Sequence, residues 1–415
     1  MTAGDDVVGE VPPEPVEPDA PRLELRDPLP PVVDTVAALD DTCARILAGT
    51  GPIALDAERA SGYRYSQRAY LIQVRREGSG THLIDPTAFD SLVPLDTAFD
   101  GNEWILHAAT QDLMCLAEVG LYPEHLFDTE LAGRLLNLPR VGLAALVEHY
   151  LGLSLAKEFS AADWSTRPLP EPWLVYAALD VEVLVELRNL IDADLQEAGK
   201  RGWAAEEFES LLFFQGPPER KEPWRRTSGI HKARGRRALG LVRELWETRD
   251  RIAEERDTTP GRILPDSSIL ELATAPPHDL NALKGLRIMR NRGPRRFLGE
   301  WFDAVERGLA LDEIKLPPTN QRVDGPPPPR AWAEKDPVAA ERLGRSREVV
   351  TSVAEANDLP TENLISPQLV RNLAWEPPTD LSVDTVSAAL RDQGARAWQI
   401  GLVAEPLTEA LAPTS

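Results

Sequence analysis

The chain has 415 residues, of which 42% are hydrophobic, and its formal net charge is -22 at pH 7. This length allows two or three domains with ordinary cores, and no apolar run reaches the ~20 residues that a membrane span needs. A membrane protein is therefore not expected. The first residues lack the basic and apolar stretches of a signal peptide, which predicts a cytoplasmic protein.

Cysteine usage limits the kinds of metal site that are possible. Only Cys43 and Cys115 are present. Two cysteines are too few for a disulfide framework and are not spaced as a metal site. Any metal ligands in this chain should therefore be oxygen atoms.

Residues 1–30 predict a disordered acidic tail. From Met1 to Asp27 eight acidic residues stand against Arg22 and Arg26, among many prolines. This composition is typical of disorder. Because net charge describes only average behaviour, a local basic surface elsewhere can still bind a polyanion.

Residues 31–215 predict one α/β domain. Helical spacing over residues 33–48 is followed by a strand that ends in Asp56 and by strands over 69–74 and 81–84, which together predict three antiparallel strands. Further along, the patterns predict a strand over 104–107 and helices over 92–99, 111–119, 128–136, 142–151 and 173–198. A mixed sheet with flanking helices is the expected architecture.

After this domain the chain becomes basic and then helical. Residues 216–233 form a predicted linker, which overlaps a stretch, 220–237, with eight Lys or Arg residues and one acid, Glu222. Residues 234–312 predict a small helical domain, and residues 313–333 predict a stiff Pro-rich spacer. Residues 334–415 predict a second helical domain.

The two helical regions look like copies of one unit. A shift of 101 positions aligns Asp257 with Asp358 and, without a gap, also Ala253-Glu254 with Ala354-Glu355, which predicts an internal repeat. Residues 284–296 of the first copy carry six basic residues and no acid, whereas 334–415 carry thirteen acids against seven bases. The first copy is therefore the one expected to bind nucleic acid. Solvated surfaces that offset nearby acids are the alternative.

Asp56 and Glu58 are the first candidate functional residues. Side chains two positions apart on a strand share one face, so both carboxylates should lie side by side. Such a pair repels unless a cation lies between its members, and oxygen ligands suit Mg2+ or Mn2+. A solvated strand end is the alternative.

Three further residues complete a possible hydrolytic site. Asp112 falls in the first turn of a helix, where a capping role is the alternative. Tyr176 and Asp180 share one helix face, where a hydrogen-bonded core pair is the alternative. Four carboxylates can bind two divalent ions for a phosphoryl displacement. The Tyr176 hydroxyl could orient the attacking water.

The order D-x-E, H-A-A-T-Q-D and Y-x-x-x-D resembles the DEDD superfamily of 3′–5′ exonucleases in its Tyr-containing branch, and specifically the ribonuclease D family. Leu71-Ile72-Gln73, Asp163-Trp164 and Arg167-Pro168-Leu169 also match that family. The doubled helical domain resembles HRDC domains (helicase and RNase D C-terminal). The resemblance covers residues 31–415. It implies an α/β exonuclease domain of ribonuclease H-like fold, followed by two small all-α HRDC-type domains.

The resemblance also implies roles for individual residues. It makes Asp56, Glu58, Asp112 and Asp180 the ligands of two ions, Mg2+ or Mn2+, and Tyr176 the water-orienting residue. Phe159 stands where family members often have Gln, and His107 is expected to be structural. Nucleic-acid contacts are expected from the family match or from the basic stretches at Gln73, Lys157, Arg225, Arg226, Lys284, Arg287, Arg290, Arg292, Arg295 and Arg296.

The sequence therefore predicts a metal-dependent 3′–5′ exoribonuclease that releases nucleoside 5′-monophosphates. The resemblance implies processing of stable RNA, including tRNA precursors, and a monomer is expected. A DNA exonuclease is an alternative, because HRDC domains also occur in DNA helicases and no motif here recognises a 2′-hydroxyl. A non-catalytic RNA-binding scaffold is a further alternative, which the intact set of four acids and Tyr176 disfavours.

Overall fold

The computed structural model describes residues 20–156, 158–320 and 325–413. Within these ranges a six-stranded mixed sheet forms the centre of the α/β domain, in the spatial order β1-β4-β3-β2-β5-β6. Strand β3 is antiparallel to β2 and β4, whereas β1 runs parallel to β4, and β5 runs parallel to β2 and β6. The strands are β1 (Val32–Val33), β2 (Thr50–Arg59), β3 (Ala69–Glu77), β4 (Gly80–Ile84), β5 (Glu103–Leu106) and β6 (His125–Asp128).

Helices pack on both faces of this sheet. Alternate side chains of β2 enter different cores: Leu55 and Ala57 pack with residues of the first three helices, and Ala54 packs with residues of later ones. The predicted mixed sheet with flanking helices is thereby confirmed. The helices of this domain are α1 (Val36–Ala48), α2 (Val93–Phe99), α3 (Leu113–Glu118), α4 (Thr129–Leu135), α5 (Leu143–Leu151), α6 (Glu171–Glu182), α7 (Leu184–Glu197) and α8 (Arg201–Leu211).

Two predicted helices differ from those in the structure. The helix predicted from residue 33 begins at Val36, because the Thr35 side chain accepts a hydrogen bond from the Ala38 amide at 3.3 Å and caps the helix there. The helix predicted over 173–198 is divided at Val183, where the backbone leaves the helical region (φ -118°, ψ 6°). The short strand β6 and helix α8 were not predicted.

The described part of the predicted acidic tail is ordered, so the prediction of disorder is wrong for residues 20–30. Leu23 is buried, and its amide donates to the Ser154 carbonyl at 2.9 Å. Arg26 forms a 2.6 Å ion pair with Glu186. Composition suggested disorder, but these few residues find specific partners on the α/β domain. Residues 1–19 lie outside the described ranges.

The helical regions form two domains of the same design. Helices α9, α10 and α11 of the first helical domain begin 101 positions before α16, α17 and α18 of the second, which confirms the repeat. Asp257 and Asp358 both adopt positive φ, at 43° and 49°. The helices are α9 (Arg236–Glu255), α10 (Pro260–Ile263), α11 (Asp266–Thr274), α12 (Leu280–Gly285), α13 (Arg292–Arg295), α14 (Leu298–Ala310), α15 (Trp332–Lys335), α16 (Pro337–Ala356), α17 (Thr361–Leu364), α18 (Pro367–Trp375), α19 (Val383–Asp392) and α20 (Ala397–Leu411).

The two helical domains are attached differently to the α/β domain. The second shares one continuous hydrophobic core with it, and the stacked rings of Trp203 and Trp398, 4.9 Å apart, lie at that junction. The first has its own core, on which Tyr65 of the α/β domain packs. None of the helices in the described ranges combines the length and the apolar character that crossing a membrane requires.

Part of the predicted basic linker belongs to the first helical domain. Trp224 is 3% exposed and packs into that domain's core. Arg236, just beyond the linker but within the basic stretch 220–237, donates to the carbonyls of Glu313 and Leu316 at 2.6 and 2.8 Å. These hydrogen bonds join the start of α9 to the segment that follows α14.

Candidate active site

Asp56 and Glu58 lie near the end of β2, inside the sheet. Across β3, Asp56 is opposite Gln73 and Glu58 is opposite Leu71, so both carboxylates project from the same sheet face, as their spacing predicts. Because β5 runs parallel to β2, the carboxyl ends of both strands meet at one edge of the sheet. That edge carries the candidate site.

Asp112 reaches this edge through a tight turn after β5. The turn passes through Ala108, whose φ of 58° is left-handed, and through a 3₁₀ turn. Asp128, at the end of β6, accepts hydrogen bonds from the amides of Ala108 and Ala109 at 3.0 and 2.9 Å. It also caps α4 through the amide of Glu130 at 2.9 Å. Asp128 thus positions the segment that presents Asp112, a role that the sequence pattern did not reveal beyond an acid at a helix start.

Tyr176 and Asp180 lie one turn apart on α6. This helix packs against β2, β3 and β4, and its residues Ala177 and Ala178 are fully buried. The Tyr176 hydroxyl interacts with Asp180 and lowers the pKa of that carboxyl, although burial and Asp56 raise it more. The Tyr176 ring contacts Phe159 edge-on, with ring centres 6.0 Å apart.

The five predicted catalytic residues line one cavity of about 690 Å³. Carboxylate oxygens of Asp56, Glu58 and Asp180 all lie within 4.8 Å of one another. Asp112 lies outside that group but raises the pKa of Glu58 by charge repulsion. The structure therefore brings together residues from β2, the β5–α3 turn and α6. The other lining residues include Arg59, Ser61, Gly62, His107 and Gln111.

The four carboxylates (Asp56, Glu58, Asp112 and Asp180) strongly perturb one another. Burial raises the pKa of each of them, and the negative charge of Asp56 raises the pKa of the other three further. The pKa of Asp56 rises to about 6 and that of Glu58 to about 10. Four ionised carboxylates are therefore unfavourable here unless cations balance them.

This donor set fits divalent metal ions. The three clustered donors are all carboxylate oxygens, which suit Mg2+ or Mn2+ rather than softer metals. His107 lines the cavity, but its Nδ1 is 2.9 Å from the Thr129 hydroxyl. Burial lowers the pKa of His107 to about 4, so the ring is neutral at pH 7. Its expected structural role remains a prediction.

Two of the predicted nucleic-acid contacts are not free to meet a substrate in the structure. Gln73 is wholly buried, and neither of its amide atoms has a hydrogen-bond partner in the described part of the chain. Because it is fully buried opposite Asp56 in the sheet, it does not reach a substrate directly in this structure. Arg225 is engaged within the protein, by an ion pair with Glu222 at 2.6 Å and a hydrogen bond to the Pro318 carbonyl. Lys157 lies outside the described residues.

The remaining predicted contacts are placed to reach a ligand. Arg226 is exposed, and so is every basic residue of the basic segment, which we define as residues 284–296. No acidic side chain in the described ranges forms an ion pair with these six residues. Their positive charges are thus available to phosphates. The six are Lys284, Arg287, Arg290, Arg292, Arg295 and Arg296.

A chain of contacts joins the cavity wall to the basic segment. Gly62 lines the cavity, and the next residue, Tyr63, stacks under the guanidinium of Arg262 at 4.2 Å. Helix α10, which carries Arg262, contacts α13 within the basic segment. Tyr63 and Arg262 thus connect the cavity wall with the basic segment.

Asp257, in the first helical domain, holds the segment that follows Tyr63 by hydrogen bonds. One carboxylate oxygen accepts from the amides of Tyr65 and Ser66 at 3.2 and 2.9 Å, and the other accepts from the Tyr70 hydroxyl at 3.3 Å. The equivalent residue of the second copy, Asp358, accepts from Asn137 at 2.7 Å. The two helical domains thus contact the α/β domain through equivalent aspartate residues.

Three protein-family models match this chain. One is described as 3′–5′ exonuclease and matches residues 30–196. The second is the HRDC domain, over residues 238–305. The third is described as the 3′ to 5′ exonuclease C-terminal domain, over residues 325–411. The HRDC model matches the first helical domain, while a separate model matches the second.

Individual proteins resemble the chain over most of its length. Ribonuclease D of Zymomonas mobilis is 32% identical over 304 residues, which are 70% of this chain and 76% of that protein. A structure from Bifidobacterium adolescentis is 40% identical, with a TM-score of 0.88 over 95% of this chain and 100% of that one. Escherichia coli RNase D is 25% identical, with a TM-score of 0.67 over 92% and 98%. The chain therefore belongs to the ribonuclease D family of 3′–5′ exonucleases, as the order of its motifs predicts.

Proposed function

We propose that this chain is a metal-dependent exoribonuclease that removes nucleotides one at a time from RNA 3′ ends and releases nucleoside 5′-monophosphates. The observation that carries the proposal is the convergence of four carboxylates and Tyr176 on one cavity, with Glu58, Asp112 and Asp180 buried and Asp56 half-buried. A scaffold that only bound RNA would be hindered by this group, because the carboxylates repel one another and the RNA backbone. Cations bound between the carboxylates would offset this repulsion, and the site would then be suited to catalysis.

The roles of the chain's residues follow from their positions. Asp56, Glu58 and Asp180 are proposed to hold one ion, and Asp56 with Asp112 a second. When bound by these residues, Mg2+ or Mn2+ would supply Lewis-acid chemistry that activates water and stabilises charge on the leaving oxygen. Tyr176 stays protonated, because burial and Asp180 raise its pKa. Its hydroxyl is therefore suited to orienting a water molecule and not to acting as a base.

RNA as the substrate is supported by the relatives and by the basic segment. The E. coli structure is described as an exoribonuclease involved in structured RNA processing, and we extend this activity, including 3′ trimming of tRNA precursors, to the present chain. The exposed basic segment would hold the folded body of the RNA while a single-stranded end enters the cavity. The monomeric state and the cytoplasmic location remain predictions.

One assay separates the proposal from its alternatives. We expect release of 5′-monophosphates from a single-stranded RNA 3′ end with Mg2+ or Mn2+ and none with EDTA, because cations are needed to activate the attacking water. A DNA strand of the same sequence serves as the matched substrate. Faster release from DNA would point to a DNA exonuclease. If neither RNA nor DNA were degraded with either metal, the non-catalytic RNA-binding scaffold would be the remaining interpretation.

Tyr176→Phe tests the water-orienting role. The variant lacks only the hydroxyl, so we expect turnover to fall about 10-fold while the melting temperature stays near that of the wild type. Tyr150→Phe is the matched control, because the Tyr150 hydroxyl donates to Asp194 at 2.8 Å outside the cavity. That control should lose stability and keep its rate. A Tyr176→Phe protein that melts earlier but turns over normally would assign Tyr176 to the core.

A further inference from the structure

Arg59 occupies a position in the cavity that the motifs do not explain. It directly follows Glu58 at the end of β2, where the pairing register with β3 shifts. The side chain is half-buried and lines the cavity together with the four carboxylates. Among the lining residues that the structure describes, Arg59 is the only lysine or arginine.

The guanidinium of Arg59 is not engaged by the protein. Its side chain makes no hydrogen bond, and no ion pair within 4.0 Å, with any residue of the described ranges. Other half-buried arginines of this domain are held firmly, as in the 3.0 Å pair of Arg75 with Glu182 and the 2.6 Å pair of Arg167 with Asp85. A guanidinium has five N–H donors, so those of Arg59 remain available to a ligand.

Arg59 and Tyr176 reach the group of carboxylates from two different elements. Arg59 directly follows Glu58 at the end of β2, and Tyr176 lies on α6, one turn before Asp180. The charge of Arg59 also lowers the pKa of Asp56 and Glu58.

An in-line displacement has two sides, because the attacking and leaving oxygens lie on opposite sides of the phosphorus atom. With Tyr176 on α6 assigned to the water, Arg59 on β2 is the one cationic side chain among the described lining residues that can serve the leaving side. That side carries the leaving 3′ oxygen and the phosphates of the strand that remains bound. A guanidinium binds two phosphate oxygens at once.

We propose that Arg59 binds a phosphate of the shortened RNA strand, on the leaving side of the scissile bond. This proposal rests on the exoribonuclease function proposed above and adds a substrate-binding residue to it. Arg59 would keep the shortened strand in the cavity after each cleavage. The competing explanation is that Arg59 only balances the carboxylates of the metal-free protein.

Binding measurements distinguish these explanations without turnover. The probe is a short unstructured oligoribonucleotide, titrated in EDTA at several salt concentrations into the wild type, Arg59→Gln and Arg59→Lys. We expect Arg59→Gln to lower the slope of log K against log salt by about 0.7 and to weaken binding, since one phosphate contact is lost. Arg59→Lys should keep the slope, because it keeps the charge. Arg68 is exposed and lies outside the cavity. Arg68→Gln is therefore the control, because it removes the same charge as Arg59→Gln.

Kinetics at saturating Mn2+ give the second readout. Arg59→Gln should lower kcat/KM about 10-fold, and Arg59→Lys should restore only part of that loss, because an ammonium group lacks the forked geometry. A wild-type salt slope together with a wild-type rate for Arg59→Gln would overturn the proposal, and an altered melting temperature in EDTA alone would support charge balancing. Absence of RNA hydrolysis by the wild type would instead overturn the proposed function itself.

Discussion

Asp56→Asn should abolish hydrolysis and at the same time make the metal-free protein more stable. Asp56 is the central carboxylate, since its charge acts on the other three, so its loss removes a proposed ligand of both ions. We expect kcat/KM to fall by on the order of 1,000-fold or more. Glu58→Gln, Asp112→Asn and Asp180→Asn should have similar effects on the rate.

The stability gain follows from proton linkage. The folded state raises the pKa of Asp56 from 3.8 to about 6, so the native protein binds more protons than the unfolded chain. Metal-free stability should therefore fall as pH rises from about 4 through 6, by on the order of 2 kcal/mol from this group. Asp56→Asn removes this loss, so at pH 8 in EDTA it should melt above the wild type.

Thermal melts at pH 5 and pH 8, with EDTA and with Mn2+, measure this effect beside a nucleotide-release assay. Asp90→Asn, at an exposed position, is the matched control and should leave rate and melting temperature unchanged. The assignment of Asp56 would be abandoned if Asp56→Asn retained substantial nuclease activity. A lower melting temperature in EDTA at pH 8 would show that Asp56 has a structural role.

Removing three charges of the basic segment should have the second large effect. Arg290, Arg292 and Arg295 are exposed and form no ion pair with the described acids. Replacing all three by Gln should lower the salt slope for structured RNA by about 2, and weaken binding at low salt by on the order of 100-fold, if each contacts a phosphate. Cleavage of a very short oligonucleotide should hardly change, because such a substrate does not reach the segment.

The repeat provides the control for this experiment. Arg347 and Arg391 of the second helical domain, and Arg330 just before it, are also exposed, so their replacement by Gln changes the net charge equally. We expect that variant to bind RNA nearly as the wild type does. If the two triple variants showed the same salt slope, the first helical domain would not be the substrate-holding part.

The catalytic residues could be predicted because their signals are local. The spacing of Asp56 and Glu58 specifies one strand face, and that of Tyr176 and Asp180 specifies one helix face. The RNA contacts of Gln73 and Arg225 remain predictions that the structure does not support, because Gln73 is buried and Arg225 pairs with Glu222 and with the distant Pro318 carbonyl. The sequence shows neither the burial nor the long-range contact. Arg59 was overlooked because nothing in the sequence shows whether an arginine beside acids is paired.

Strand β6 and Leu23 are two further places where the prediction from the sequence and the structure differ. Strand β6 has only four residues, His125–Asp128, too few for a clear alternation of apolar and polar side chains. Leu23 lies in an acidic, Pro-rich stretch, yet it is buried against the α/β domain. Composition reports the average tendency of such a stretch, and it does not report the contacts of single residues.

The division of the hydrophobic cores determines which parts of the molecule unfold together. The α/β domain and the second helical domain share one core, so neither can lose its structure without exposing apolar surface of the other, and both should unfold as one cooperative unit. The first helical domain has its own core and is held through Tyr65 and the hydrogen bonds of Asp257. It can therefore separate at a lower free energy than global unfolding. The first helical domain, which carries the basic segment, can thus move relative to the cavity. The second helical domain stays packed against the α/β domain.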